Sequence, residues 1–160
     1  MAIRKILDAS KENNALRRKS RPVEKFDKRL ADLLDDLRDT LYCADGAGLA
    51  APQVGVLRRV AVVDIGDGLI ELVNPVVVEK GGEADGVEGC LSVTGTNGYV
   101  IRPKWVRVEA FDRNGEKVSV EGTDFKARAL CHEIDHLDGI LFTDIMYAVY
   151  EPEPDEDEEN

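Results

Sequence analysis

Leu130-Cys131-His132-Glu133-Ile134-Asp135-His136-Leu137-Asp138-Gly139 holds the only two histidines of a 160-residue chain. They stand four residues apart, with a glutamate directly after the first. On a helix each residue turns by about 100°, so positions i and i+4 lie within roughly 40° of one face, one turn apart. Two imidazoles so placed can grip one metal ion, with the glutamate beside the open coordination position. The bland alternative is two half-buried histidines on a helix that binds nothing. A His-Glu-x-x-His pattern arises by chance in fewer than about one in a hundred chains of this length, so the metal reading leads.

Working outward, Thr123 is placed to cap this helix, which runs to about Leu137 and stops at Asp138-Gly139. Before it, residues 106–111 alternate apolar and polar and pair with residues 118–121 across Asn114-Gly115, the strongest short hairpin signal in the chain. Residues 59–64, 69–73 and 75–79 read as Val/Ile/Leu-rich strands, the first two joined by a turn at Gly66-Asp67-Gly68. Gly81-Gly82 turns the chain again, and a loop is expected around Gly95, Asn97 and Gly98. Residues 25–43 place Phe26, Leu30, Leu33, Leu34, Leu37 and Leu41 at helical intervals, which predicts an amphipathic helix ended by Asp45-Gly46. Residues 1–22 are basic and irregular, with turns marked by Asn13-Asn14 and Arg21-Pro22, and are expected to wrap the body more than build it. The fold class is therefore α+β: antiparallel β-sheets around a central metal-binding helix, with an N-terminal amphipathic helix.

The net charge of −11 sits mostly in the last ten residues, which carry seven acidic groups and no basic one. Without those seven, the chain's 32 acidic residues fall to 25 against 21 basic ones, a net of −4. The expected organisation is one catalytic domain over residues 1–150 and an acidic, disordered, solvating tail over 151–160. Neither part suits a nucleic-acid backbone, which attracts clustered Lys and Arg. Three cysteines, an odd number, argue against a disulfide framework and fit a reducing compartment. No run approaches the 18 or so apolar residues of a membrane span, and the start has no apolar region followed by a small-residue cleavage site. The expected location is cytoplasmic, without membrane attachment.

Two histidines do not complete a catalytic site, which usually has three protein ligands and one open position. There is no third histidine, so a cysteine or a carboxylate must serve. Downstream, only Asp144 and the tail offer carboxylates. Cys131 is one helical step off the ligand face and reads as a small core residue, as does Cys43. Cys90 follows Glu88-Gly89, where glycine lets backbone come close, and lies outside any helical stripe. A thiolate with two imidazoles suits a divalent transition metal, which favours Cys90 over a carboxylate and leaves both open. Residues 46–55, small, apolar and punctuated by glycine, carry one amide side chain at Gln53 and allow close approach of backbone to a ligand.

Three segments, Gly46-Ala47-Gly48-Leu49-Ala50-Ala51-Pro52-Gln53, Glu88-Gly89-Cys90-Leu91-Ser92 and His132-Glu133-Ile134-Asp135-His136, together resemble the peptide deformylase family, in order and at compatible spacing. The resemblance extends from Ile3 to Asp144 and covers nearly everything except the tail. It implies that Cys90, His132 and His136 hold one divalent metal, most often Fe2+, with Ni2+, Co2+ or Zn2+ able to substitute. It implies that Glu133 is the general acid/base, and that the Gln53 amide and the Leu91 backbone N–H stabilise the oxyanion. It implies hydrolysis of the N-formyl group of N-formylmethionyl peptides on nascent chains at the ribosome, by a monomer. Gly48 and Gly89 would lie along the peptide backbone, and Ala47, Glu88 and Ala129 would border the methionine pocket. Arg102 and Asp135 either pair to steady the catalytic helix from behind or form a solvent-exposed charge pair worth little, and the residues leave both open. The chain departs from the common pattern at Thr94, where proline is frequent and a freer loop is expected, at Cys131, where glutamine is frequent, and around residues 8–14, which lack an Asp-Pro pair. The competing readings are a zinc peptidase of the His-Glu-x-x-His type, which wants a third ligand downstream, and a non-catalytic metal-stabilised module, which has no use for Glu133.

Overall fold

The computed structural model of the protein describes residues 2–11 and 14–152. In chain order the elements are helix α1 (Lys28–Ala44), strands β1 (Gly48–Ala50), β2 (Val60–Val63), β3 (Ile70–Gly81), β4 (Ala84–Cys90), β5 (Val93–Arg102), β6 (Trp105–Phe111) and β7 (Lys117–Thr123), helix α2 (Phe125–Leu137), the short helix α3 (Phe142–Ile145) and strand β8 (Ala148–Val149). Two sheets result, both antiparallel: five strands in the order β1-β2-β3-β6-β7, and three in the order β4-β5-β8.

The sequence of β2, Val-Ala-Val-Val, has no polar residue to turn to water, because both of its faces are covered. Val60 and Val62 pack against Leu30, Leu33, Leu34, Leu37 and Leu41 of α1. Val63 packs with Leu72, Val106, Val108 and, from α2, Ala127, Leu130 and Ile134; Ala61 packs with Leu137. The five-stranded sheet is thus a wall with α1 on one face and α2 on the other. Helix α1 starts at Asp27, whose side chain accepts the Leu30 N–H at 3.1 Å, and ends at Asp45, which takes up a left-handed conformation at φ 55°.

Several expectations are corrected. Residues 69–73 and 75–79 are not two strands but parts of one, β3, bent by a register shift between Val73 and Val76. The bend sits at Asn74, which holds φ at 51° and closes two hydrogen bonds on Val23: Oδ1 accepts the Val23 N–H at 2.8 Å, and Nδ2 donates to the Val23 carbonyl at 2.9 Å. The expected loop at Gly95, Asn97 and Gly98 is strand β5, and Thr94 belongs to it and not to a freer loop. Gly98 is held there by pairing with Glu88 of β4, while Gly95, at φ 80°, and Asn97 lie where the register shifts. Thr123 is the last residue of β7 and caps nothing; α2 begins after Asp124, at φ 52°, with no side-chain cap. Cys43 is exposed and not a core residue. Arg21-Pro22 is not a turn: Arg21 bridges alongside Arg58, its N–H bonded to Leu57 and its carbonyl to Arg59. The described residues of the 1–22 stretch do wrap the body, yet Leu16 also enters the core. Asn13 and the tail from residue 153 onward, about which turn and disorder expectations were stated, lie outside the described residues. Among the described residues no helix is long and apolar enough to cross a membrane.

The Asn74 clip yields a prediction. Asn74→Ala removes two hydrogen bonds and puts a Cβ without a local polar partner in the left-handed region, so it should cost about 2–3 kcal/mol in urea unfolding. Asn74→Gly loses the same bonds without the strain and should cost visibly less. Equal losses in the two variants would assign the whole effect to the hydrogen bonds.

Candidate metal centre

The centre is assembled from three places in the chain. Strand β1 runs into a short 3-10 helix (Ala51–Val54) that buries Gln53. Strand β4 ends at Cys90, followed by a turn at Leu91-Ser92. Helix α2 supplies His132, Glu133 and His136, all buried. The N-terminal segment ties the first two together from outside: the Leu7 N–H bonds the Gln53 carbonyl at 2.7 Å, and the Ala9 N–H bonds the Ser92 carbonyl at 2.8 Å.

The helical spacing of four brings His132 Nε2 and His136 Nε2 to 3.2 Å, and Cys90 Sγ lies 3.3 Å from His136 Nε2. All three donor atoms lie within 4.8 Å of one another. Two nitrogens each about 2.0–2.1 Å from a tetrahedral ion are roughly 3.3 Å apart, so the observed separation has the length of a coordination edge. Asp144, the downstream carboxylate, is used elsewhere: it accepts from the Arg17 guanidinium and from the Leu141 N–H.

The second ring nitrogen of His132 decides its tautomer. Nδ1 meets Glu88 Oε1 at 2.8 Å, so it carries the proton and leaves Nε2 as a lone pair facing the centre. Glu88 is itself held by four donors: Arg102 Nε at 2.7 Å, Arg102 Nη2 at 2.9 Å, Arg128 Nη1 at 2.8 Å and the His132 ring. Burial works against its charge, but the bonds from Arg102 and His132 win and hold its pKa down to about 2. Arg102 also reaches Asp135 at 2.6 Å, a pair the sequence left open. Burial keeps His136 neutral.

Glu133 lies beside this point. Burial pushes its carboxyl up to about 7, and its Oε1 has no hydrogen-bond partner among the described residues. Strand β1 passes close enough to shape its position: a Cβ on Gly48 would sit 2.5 Å from Glu133 Oε2 and 2.8 Å from its Cδ, so any side chain there would have to displace the carboxyl. The Gln53 amide is oriented by its neighbours. Oε1 accepts the Ala50 N–H at 2.9 Å, which turns Nε2 towards Ser92 Oγ at 3.1 Å and Cys90 Sγ at 3.6 Å.

A cleft of about 340 Å³ opens onto these groups. The expected site residues Ala47, Gly48, Gln53, Glu88, Gly89, Cys90, Leu91, Ala129, His132 and Glu133 line it, and His136 lies beneath, fully buried. Glu88 borders the cleft, but its carboxylate is spent on Arg102, Arg128 and His132. Two participants were not read from the sequence. Ser92 gave no signal beyond its place after Cys90-Leu91. Arg128 could have been noticed as a charge on the apolar side of α2, one turn before His132.

Comparison with known proteins agrees with this geometry. A family profile described as polypeptide deformylase matches residues 3–150. The chain is 54% identical over 161 residues to the peptide deformylase of Acetivibrio thermocellus, covering all of this chain and 94% of that one. It is 58% identical over 144 residues to the peptide deformylase of Caldicellulosiruptor bescii, covering 90% and 86%. Among solved structures, the peptide deformylase of Legionella pneumophila superposes with a TM-score of 0.86 at 45% identity, over 91% of this chain and 86% of that one. That of Ehrlichia chaffeensis, solved in complex with actinonin, gives 0.87 at 33% identity, over 91% and 90%. With the profile spanning almost the whole described chain and full-length relatives above half identity, the chain belongs to the polypeptide deformylase family, hydrolases that remove the N-formyl group from newly made polypeptides.

Proposed function

We propose that Cys90, His132 and His136 hold one divalent metal, with Fe2+ as the resident ion, and that Glu133 carries the proton in deformylation. The observation that carries this reading is the convergence of one thiol and two Nε2 atoms beside a buried carboxyl with a free oxygen. The donor set suits Fe2+, Ni2+, Co2+ and Zn2+ alike. Bound there, such an ion lowers the pKa of a water towards neutrality and so supplies a nucleophile at pH 7. Glu133 takes the proton of the attacking water and returns it to the leaving amine nitrogen, a task suited to a carboxyl whose pKa burial has brought near 7. The carbonyl oxygen of the formyl group gains negative charge, and Gln53 Nε2 and the Leu91 N–H donate to it. The Ala50 N–H, by fixing Gln53 Oε1, keeps the amide's donor end on the reaction side.

The peptide lies extended along the cleft, its backbone close to Gly48 and Gly89, with the methionine side chain bordered by Ala47, Glu88 and Ala129. Residues 1–150 act as one catalytic domain, a reading supported by the match over residues 3–150. Helix α2 is its metal-binding core, and α1 is the amphipathic helix that backs the sheet. The protein works as a cytoplasmic monomer on nascent chains at the ribosome. A zinc peptidase of the same helical motif is disfavoured because Asp144, the downstream carboxylate, is engaged by Arg17.

The direct test is formate release from formyl-Met-Ala-Ser. The wild type with metal bound should release formate, and its failure to do so would defeat the reading. Glu133→Ala should retain the metal and lose turnover by about 10²–10⁴-fold; activity kept in that variant would remove Glu133 from the mechanism. Gly48→Ala should also keep its metal, because no ligand moves, while displacing the Glu133 carboxylate and lowering kcat by on the order of 10²-fold. Metal analysis of the purified variants separates this outcome from loss of the ion.

A further inference from the structure

The donor atoms are divided between α2 and β4, and no apolar cluster joins the two. The apolar clusters of the described residues draw on α1, α2, β1, β2, β3, β6 and β7, and none has a member from within β4, β5 or β8; Leu91, just after Cys90, packs against the cluster of α1 and not that of α2. What ties the three-stranded sheet to α2 is polar, and Arg128 makes three of those bonds. Its Nη1 donates to Glu88 Oε2 on β4 at 2.8 Å and to the Val100 carbonyl on β5 at 2.9 Å; its Nη2 donates to the Ala84 carbonyl at the start of β4 at 2.9 Å. Space for the guanidinium exists because residue 86 is glycine: a Cβ there would lie 2.9 Å from Arg128 Nη2 and 3.1 Å from its Cζ.

We infer that Arg128 is a positioning residue that clamps the strand bearing Cys90 against the helix bearing His132 and His136, and so sets how firmly the metal is held. The inference rests on the metal reading above. Arginine is required by geometry: a rigid planar fork meets three acceptors on two strands, which the single ammonium of lysine cannot do. Charge is not the main point. Without Arg128, Glu88 still keeps both bonds from Arg102 and its bond to His132, so the carboxylate stays satisfied and the His132 tautomer holds. What disappears is the direct bonding of α2 to the Val100 and Ala84 carbonyls. The Cys90 thiolate, at the far end of β4, then gains freedom relative to the two imidazoles. Arg102 acts in the reverse direction at the same end of the sheet: it pairs with Ala84 across β4 and β5 and reaches Asp135 on α2, so Arg128 is the second clamp there and the one that also holds the Val100 carbonyl.

Cobalt(II)-loaded protein gives a readout independent of activity. Thiolate-to-cobalt absorption reports Cys90, and transfer of cobalt to excess chelator reports how firmly the ion is held. Arg128→Met should release cobalt about 10- to 100-fold faster than wild type and shift the thiolate band. Arg128→Lys should recover only part of the difference. Gly86→Ala, which leaves the arginine in place and displaces its fork, should reproduce the effect in the wild type and add nothing in the Arg128→Met background. It carries the test if Arg128→Met fails to fold. Arg113→Met controls for general destabilisation. It breaks bonds to Asp35 on α1 and Glu71 on β3, so it should lower Tm and leave cobalt release unchanged. Wild-type release and an unshifted band in both Arg128→Lys and Gly86→Ala overturn the inference, as does accelerated release in Arg113→Met. A wild type that takes up no cobalt overturns instead the metal reading on which it rests.

Discussion

One buried carboxylate, Glu88, is the constraint on which the rest of the site depends. A charge taken out of water is tolerated only if its lone pairs are filled, and leaving one uncompensated costs about 3–5 kcal/mol. Here four donors fill them, two from Arg102 and one each from Arg128 and His132. Each donor comes with a structural consequence. Arg102 brings in Asp135, Arg128 brings in the ends of β4 and β5, and His132 is turned so that its other nitrogen faces Cys90 and His136. One electrostatic requirement therefore fixes a tautomer, a helix face and the docking of a sheet.

The fold divides the work between apolar and polar packing. Helices α1 and α2 grip the five-stranded sheet through leucine, valine and alanine, which makes that body rigid without specifying any chemistry. The three-stranded sheet, which carries Cys90 and one wall of the cleft, is joined to α2 by charged groups and by the candidate ligands themselves. Apolar contact is non-directional, whereas hydrogen bonds have fixed lengths and angles. A site that must hold three atoms at coordination distances is better built across the second kind of joint. On the opposite wall β1 approaches Glu133 so closely that a side chain at residue 48 would displace its carboxyl.

Much of this was legible along the chain because it is written in local spacing. The four-residue interval of His132 and His136, the leucine stripe of α1 and the Asn114-Gly115 hairpin are periodic or turn signals that survive without tertiary knowledge. Errors arose where a partner strand overrode local preference. Gly95, Asn97 and Gly98 look like a loop, yet all three lie within β5, where Gly98 pairs with Glu88 and the other two sit in an irregularity of the register. Asn74-Pro75 looks like a break between strands, yet β3 continues through it because Asn74 bonds Val23, 51 positions away. Thr123 looked like a cap, but the pairing of β7 with β6 extends through it, Thr123 facing Trp105.

By itself the sequence determined the two imidazoles and their glutamate, the family, and through Cys90 a thiolate as the favoured third donor. Helix geometry is local, so i and i+4 needed no structure to be placed together. Only the tertiary structure decided which of the remaining charges serve the centre. Glu88, Arg102, Arg128 and Asp135 are scattered over 48 positions, and nothing in their spacing says that one carboxylate will be met by two guanidiniums and an imidazole. Pairing of buried charges is dictated by the exclusion of water, and which groups are excluded together is known only once the sheets have closed on the helix.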